Sequence, residues 1–233
     1  MTIGSKRKTL QGIALFGALA ASDREALERR CNWREVAAGE QIIEQGEISS
    51  DIFFVIEGKF RVVLYATTGK NVALGDIGPG EMFGEYSAID HAPRSATIEA
   101  SQPGLLAIVS STVFEEIVTA HPTVALRLIR HLLAEVRTLT SRVFEFSTLA
   151  AANRLHAELF RLAQTAGPKA NTALIDPAPT HADLASQIST HREGVTRELN
   201  RLVQIGLLER QDGVLCITDL TRLARMVSET RSE

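Results

Sequence analysis

The sequence predicts an α+β chain in three successive parts: an N-terminal β-roll, one long helix, and a small helix-turn-helix unit closed by a hairpin. Three observations carry that expectation. Between Gly39 and Ile108, the short apolar runs "DIFFVIEG", "KFRVVLYA" and "LLAIV" alternate with turn signals at "QGE", "EGK", "TGK" and "GPGE", the texture of a roll of short strands. From Thr123 the apolar period lengthens, with Ala125, Ile129, Leu132, Val136, Leu139, Val143 and Phe146 recurring at alternating steps of four and three. Near the end, Asp212-Gly213 separates two apolar runs in "LLERQDGVLCIT", a hairpin signal because a type I′ turn needs positive φ at both central residues.

The elements follow in order. At the start, "SKRKTLQGIALFGALAAS" imitates a secretory signal, but Gln11, Gly12 and Gly17 interrupt its apolar run, so a cytoplasmic protein is expected. Ser22 and Glu25 fit a capping box, predicting a short helix from Asp23 that turns Ala26, Leu27 and Cys31 inward. Residues 1–122 are taken as this helix plus the roll, residues 123–149 as the long helix. Its heptad seam either pairs with a second copy or forms one broad core face, and a second stripe of Leu126, Leu128 and Leu133 is placed against the roll. A hinge is expected near Ser147 to Asn153, and residues 150–233 form the last unit. There one segment runs from Thr180 with Leu184 and Ile188 inward. A second follows a capping box from Thr190 to Glu193, with Val195, Leu199 and Leu202 inward.

Composition narrows the function. The 233 residues carry a net charge of −3, and from Ala150 onward ten Lys plus Arg face ten Asp plus Glu, so contact with a polyanion has to come from local placement. Cys31 and Cys216 lack metal or iron–sulfur spacing, the six histidines are scattered, and no HExxH pattern occurs, so no metal centre and no catalytic residue is predicted. The two cysteines are expected to be buried thiols. No segment reaches the roughly 20 apolar residues that span a bilayer.

Charge chemistry concentrates in "GEMFGEYSAIDHAPRSAT". Gly84 allows close backbone approach, and amides around Gly84 to Ser87 are placed to face an anion. Arg94 is a permanently charged fork suited to phosphate oxygens, and Ser95 adds a hydroxyl. Glu85 accepts only when ionised, so it needs a hydroxyl or amine donor; a ribose hydroxyl beside a phosphate meets that need. The plainer alternative is an ion pair between Glu85 and Arg94 across a loop. No GxxxxGK[ST] pattern is present, "TTGKN" lacking its first glycine and last hydroxyl, so triphosphate hydrolysis is disfavoured.

The stretch "FGEYSAIDHAPRSATIEA", with "GEQIIEQGEISSDIFFVIEGKFRVV" before it, resembles the phosphate-binding cassette and strands of the cyclic-nucleotide-binding fold. That resemblance implies that Glu85 takes the ribose 2′-hydroxyl, while Arg94, Ser95 and amides near Gly84 hold the cyclic phosphate. "THREGVTRELNRL" resembles the recognition helix of the catabolite activator protein (Crp/Fnr) family, whose order of jelly-roll domain, long dimerisation helix and winged helix-turn-helix the whole chain follows. By that resemblance Thr180, His191, Arg192, Glu193 and Arg197 face DNA, with Arg192, Glu193 and Arg197 reading bases. Thr140 and Ser141 resemble the Thr-Ser pair that touches adenine across the dimer in cyclic-AMP-responsive members. His191 stands where Ser or Thr is usual, and Gly194 where Thr is common.

The family likeness implies a homodimeric, non-enzymatic transcription regulator. Cyclic AMP is the favoured ligand; the alternatives are the same DNA-binding role with cyclic GMP or another effector, or a ligand-independent regulator, and no cofactor is expected. Its partners are palindromic double-stranded DNA and, as a further candidate, RNA polymerase. On charges alone, the outward set of Arg192, Glu193, Thr196, Arg197 and Asn200 fits a bland helix surface equally well.

Overall fold

The computed structural model describes residues 8–65, 71–211 and 213–229. Two compact units, Met1–Glu135 and Val136–Glu233, meet within one long helix. In the first unit, a 3-10 turn at Ala14–Phe16 and helix α1 (Ala21–Glu28) precede strands β1 (Asn32–Val36), β2 (Gln41–Ile43), β3 (Ile52–Glu57), β4 (Phe60–Tyr65), β5 (Asn71–Ile77) and β6 (Met82–Phe83). Helix α2 (Glu85–Asp90), β7 (Thr97–Ala100), β8 (Gly104–Val109), α3 (Ser111–Ala120) and α4 (Pro122–Thr148) follow. The strands form two antiparallel four-stranded sheets, ordered β1-β8-β3-β6 and β2-β7-β4-β5.

Strand β3 explains why "IFFV" is apolar without a break. Phe53 and Val55 enter the core between the sheets with Val36, Ile43, Phe60, Phe83, Ile98 and Leu106. Ile52 and Phe54 point the other way, into a helical layer containing Phe16, Leu27, Phe114, Val124 and Leu128. The signal-like run at the start is part of that second layer: Leu10, Ile13, Leu15, Phe16 and Leu19 are all buried in it.

Several expectations are corrected. Helix α1 begins at Ala21 behind an Ala20 N-cap that makes no side-chain cap bond, so Ser22 and Glu25 form no capping box. Leu27 is buried, but Ala26 is exposed and Cys31 only half-buried, like Cys216. The roll also starts before Gly39, since β1 pairs with β8 along Asn32–Val36; only Trp33 and Val36 in "NWREV" are apolar, too few to show a period.

Helix α4 buries Val124 and Leu128 against the roll, with Leu132 half-buried beside them, whereas Leu126 and Leu133 are exposed. The stripe facing the roll is therefore spaced four apart from Val124. Of the heptad seam, Ile129, Val136, Leu139, Val143 and Phe146 are exposed, Val143 to 65%.

In the second unit α4 ends at Thr148, and α5 (Ala151–Thr165) starts within the stretch expected to be a hinge. Strand β9 (Ala173–Ile175), α6 (His181–Gln187), α7 (Arg192–Gln204), β10 (Leu208–Gln211), β11 (Val214–Ile217) and α8 (Leu220–Glu229) complete it. The wing is a three-stranded antiparallel sheet, β10-β11-β9, rather than a lone hairpin. Asp212 lies outside the described residues; Gly213 has φ 80°.

Leu155, Leu159, Leu184, Val195, Leu199, Leu202, Leu215 and Leu223 share the core of this unit. Where α4 gives way to α5, Arg161 bonds both Glu145 and Glu158, and Arg142 lies 3.8 Å from Glu158, with both carboxylates buried. No described helix is long and apolar enough to cross a membrane.

Candidate functional site

The cassette is built around Arg94. Gly84 adopts φ 88° as the N-cap of α2, a left-handed conformation, and a Cβ there would fall 2.8 Å from both Arg94 Nη1 and the Asp51 carbonyl oxygen. Glycine is needed on both counts. The Arg94 guanidinium donates from Nε to Ser49 Oγ at 2.8 Å, from Nη1 to the Gly84 carbonyl at 2.9 Å and from Nη2 to the Asp51 carbonyl at 2.8 Å. It lies 5.9 Å from the centre of the Phe53 ring and is only 4% exposed.

Burial pulls the Arg94 pKa down, opposed by the carboxylates of Glu47, Asp51 and Glu85. None of its hydrogen bonds goes to Glu85, so the loop ion pair is not formed as a direct contact. A guanidinium has five N–H donors, leaving two beyond these three bonds.

Glu85 opens α2 and is 6% exposed. Burial, with the Glu135 carboxylate adding to it, pushes its pKa up to about 7 against the pull of its own amide and of Arg94. Glu135 in turn accepts a 2.6 Å hydrogen bond from the Tyr86 hydroxyl on its Oε2. Ser95 is exposed next to Arg94. Ser49, Asp51 and Glu135 did not stand out in the sequence, because they lie outside the Glu85/Arg94 stretch and only folding brings them to it; Tyr86 lies within it, but its partner Glu135 does not. Thr140 and Ser141 are exposed on the part of α4 that belongs to the second unit, where Thr140 Oγ1 donates to the Val136 carbonyl at 2.8 Å.

The second candidate face is α7. Thr180 caps α6 through a capping box with Asp183, the reciprocal bonds measuring 3.1 and 3.3 Å. The predicted box from Thr190 to Glu193 is not formed. Thr190 N instead donates to the Ala185 carbonyl at 2.9 Å, Ser189 sits at φ 49°, and α7 starts behind His191, whose side chain makes no cap bond. Arg192, Glu193, Arg197 and Asn200 are exposed along an open face that also includes Thr196, Arg201 and Gln204.

Two contacts tie α7 to its neighbours, and a third, within the helix, shares the second one's carboxylate. His181 Nδ1 lies 2.6 Å from Thr196 Oγ1, His156 Nε2 lies 2.6 Å from Glu198 Oε1, and Arg201 donates to the same carboxylate at 2.6 Å. Burial acts to raise the Glu198 pKa, but the bonds from Arg201 and His156 outweigh it and hold it low. Burial lowers the His181 pKa, and the charges of Arg210 and Arg192 add to that, placing a wing arginine beside the start of α7. Arg210 on β10 and His181 on α6 were missed because both reach α7 only after folding.

Known protein families match both parts of the chain. The cyclic nucleotide-binding domain family matches residues 33–121, and the Crp-like helix-turn-helix domain family matches residues 153–226. The cyclic AMP receptor protein of Thermus thermophilus is 27% identical over 215 residues, 92% of this chain and 96% of that protein. Lysophospholipase nte1 of Aspergillus terreus is 32% identical over 110 residues, 47% of this chain, and the chain spans only 7% of that protein. Among solved structures, a CooA mutant from Carboxydothermus hydrogenoformans has the same fold, with a TM-score of 0.80 at 19% identity over 96% of this chain and 97% of that one.

Proposed function

The chain belongs to the catabolite activator protein (Crp/Fnr) family, and on that premise we propose that it is a homodimeric transcription regulator switched by a cyclic nucleotide. Cyclic AMP is favoured over cyclic GMP, in line with the name of its Thermus relative. In this reading residues 1–122 hold the nucleotide, residues 123–149 pair the protomers through the exposed seam of α4, and residues 150–233 bind palindromic double-stranded DNA. Glu85 takes the ribose hydroxyl; Arg94, Ser95 and the backbone at Gly84 take the phosphate; Thr140 and Ser141 reach the base. Arg192, Glu193 and Arg197 read base edges while Thr180 and His191 flank them. The protein works in the cytoplasm, contacts RNA polymerase at the promoter, and does no chemistry on its ligand.

The observation that carries the ligand half is the acceptor set of Arg94. Its three hydrogen bonds end on two carbonyls and a hydroxyl, none of them charged, although the side chain is 4% exposed. A buried guanidinium so placed has carboxylates near it but no directly bonded counter-charge, and a small phosphodiester supplies one. A second reading, a regulator needing no ligand, is favoured by the same contacts, since Ser49, Gly84 and Asp51 already hold the fork in place.

Operator binding measured on a palindromic site library, with and without cyclic AMP and cyclic GMP, separates the two. Tighter binding with nucleotide supports the first; equal binding in all three conditions supports the second. Moving a population from one per cent active to ninety-nine takes about 5.5 kcal/mol of differential ligand affinity, so the full switch is a large effect to look for. Nucleotide recovered unchanged after long incubation with the protein is expected, and its conversion would overturn the non-enzymatic assignment.

A further inference from the structure

Glu85, His131 and Glu135 form a second constellation beside the cassette. Each offers one ligand atom, and these atoms lie within 4.8 Å of one another. His131 and Glu135 stand four residues apart on α4, hence one turn apart on a single helix face, with Nε2 3.7 Å from Oε1. Glu85 comes from the start of α2.

Two features set this apart from an ordinary acidic patch. The Glu85 carboxylate is buried to all but 6% and is held by its own backbone amide, while His131 Nε2 is closed off from solvent without a hydrogen-bond partner. Two carboxylates and an imidazole nitrogen thus converge where, among the described residues, no lysine or arginine bonds them directly. A third feature is orientation: Tyr86 Oη holds Glu135 Oε2 at 2.6 Å, leaving Oε1 as the oxygen turned to His131. Carboxylates that ligate metals are fixed by such outer hydrogen bonds.

We propose that Glu85, His131 and Glu135 bind a divalent transition-metal ion of the zinc or manganese class, bracing α2 against α4. One imidazole and two carboxylates suit that class of ion, whereas calcium and magnesium prefer all-oxygen sets. At ordinary zinc distances the three ligand atoms would stand about 3.4 Å apart, so the ion has to draw side chains that now lie within 4.8 Å of one another closer together. Three protein ligands leave a position open for water or for a hydroxyl of a guest. The site rests on these residues and not on nucleotide binding, though it shares Glu85 with the proposed sugar contact.

The test uses the full chain stripped with chelator and titrated with zinc chloride by calorimetry, then with cobalt chloride followed by visible absorption. Wild type is expected to bind one ion per chain with a cobalt spectrum, and zinc is expected to raise its melting temperature. His131→Gln and Glu135→Gln, each expected to melt like wild type in chelator, should each weaken binding at least tenfold and lose the zinc-dependent rise; His121→Gln should change neither. Absence of zinc binding overturns the proposal. So does unchanged affinity in His131→Gln, which would place the ion on other histidines or on the thiols. Cyclic AMP titrated in chelator keeps the questions apart. Nucleotide bound there with no zinc site removes this proposal and leaves the nucleotide reading standing, while a His131-dependent zinc site without nucleotide binding does the reverse.

Discussion

Arg94 and Arg192 present the same functional group in opposite settings. Arg94 is buried, bonded three times to the protein's own oxygens and fixed beside a glycine that cannot be replaced without a clash. Arg192 stands exposed at the first position of α7 on an open face. The first is suited to a small anion that can be surrounded and stripped of water; the second to a polyanion approached from one side, with salt competing throughout. Removing the two charges should therefore have different consequences. Loss at the buried site is local and large, and loss at the open face is smaller and dependent on DNA sequence.

The widest gap is expected for Arg94→Ala, which removes the proposed phosphate clamp and leaves the Gly84 and Asp51 carbonyls without their donor. Cyclic nucleotide affinity should fall by about 3 to 5 kcal/mol, the range for breaking a buried charge interaction, and calorimetry on the folded variant measures it. Retained affinity would place the anion elsewhere.

Next comes a pH effect confined to the buried site. With its folded pKa raised to about 7 from an ordinary value near 4.5, Glu85 binds its proton more tightly in the folded chain. Its contribution to stability is then present in full below pH 4.5 and lost as pH rises through about 7, a change of about 3 kcal/mol, and denaturant melts of wild type against Glu85→Gln should show it. Because a ribose hydroxyl is best accepted by the ionised form, nucleotide affinity should move the opposite way, strengthening about tenfold per pH unit up to about 7.

At the open face, Arg192→Ala should lose about 1 to 3 kcal/mol on its operator while keeping weak, salt-sensitive binding to unrelated DNA. Equal losses on every DNA sequence would reduce it to a phosphate contact. The smallest effect is expected for Gly194→Ala. The nearest atom to the added Cβ is Thr190 Oγ1 at 3.9 Å, an ordinary contact, so the helix should gain about 0.5 to 1 kcal/mol in thermal melts with DNA affinity nearly unchanged.

What the sequence made legible follows the same division between neighbours in the chain and neighbours in space. Glu85 and Arg94 could be singled out because their glycines, proline and hydroxyl are contiguous with them. Ser49, Asp51, His131 and Glu135 could not, since tertiary packing alone brings them to the cassette. Capping boxes show the limit most clearly. Ser22, Thr180 and Thr190 are each followed three residues later by a carboxylate, yet only Thr180 caps a helix. At Thr190 the backbone amide is already bound by Ala185 and the chain has just turned through Ser189, so the helix starts two residues later. On α4 the apolar period was visible but its facing was not, because Leu126 and Leu128 look alike until the roll takes Val124 and Leu128 together.

Strand β3 carries a consequence for how this protein tolerates change over generations. Most sheet strands have a permissive side, so a saturation-mutagenesis profile along them shows sensitive and forgiving positions in turn. From Ile52 to Val55 that rhythm should vanish: Phe53 stacks on Phe83 at 4.9 Å while Phe54 packs on Phe16 at 4.8 Å from the opposite surface. Four adjacent codons would then resist polar replacement equally, leaving this short segment among the slowest to drift in the chain.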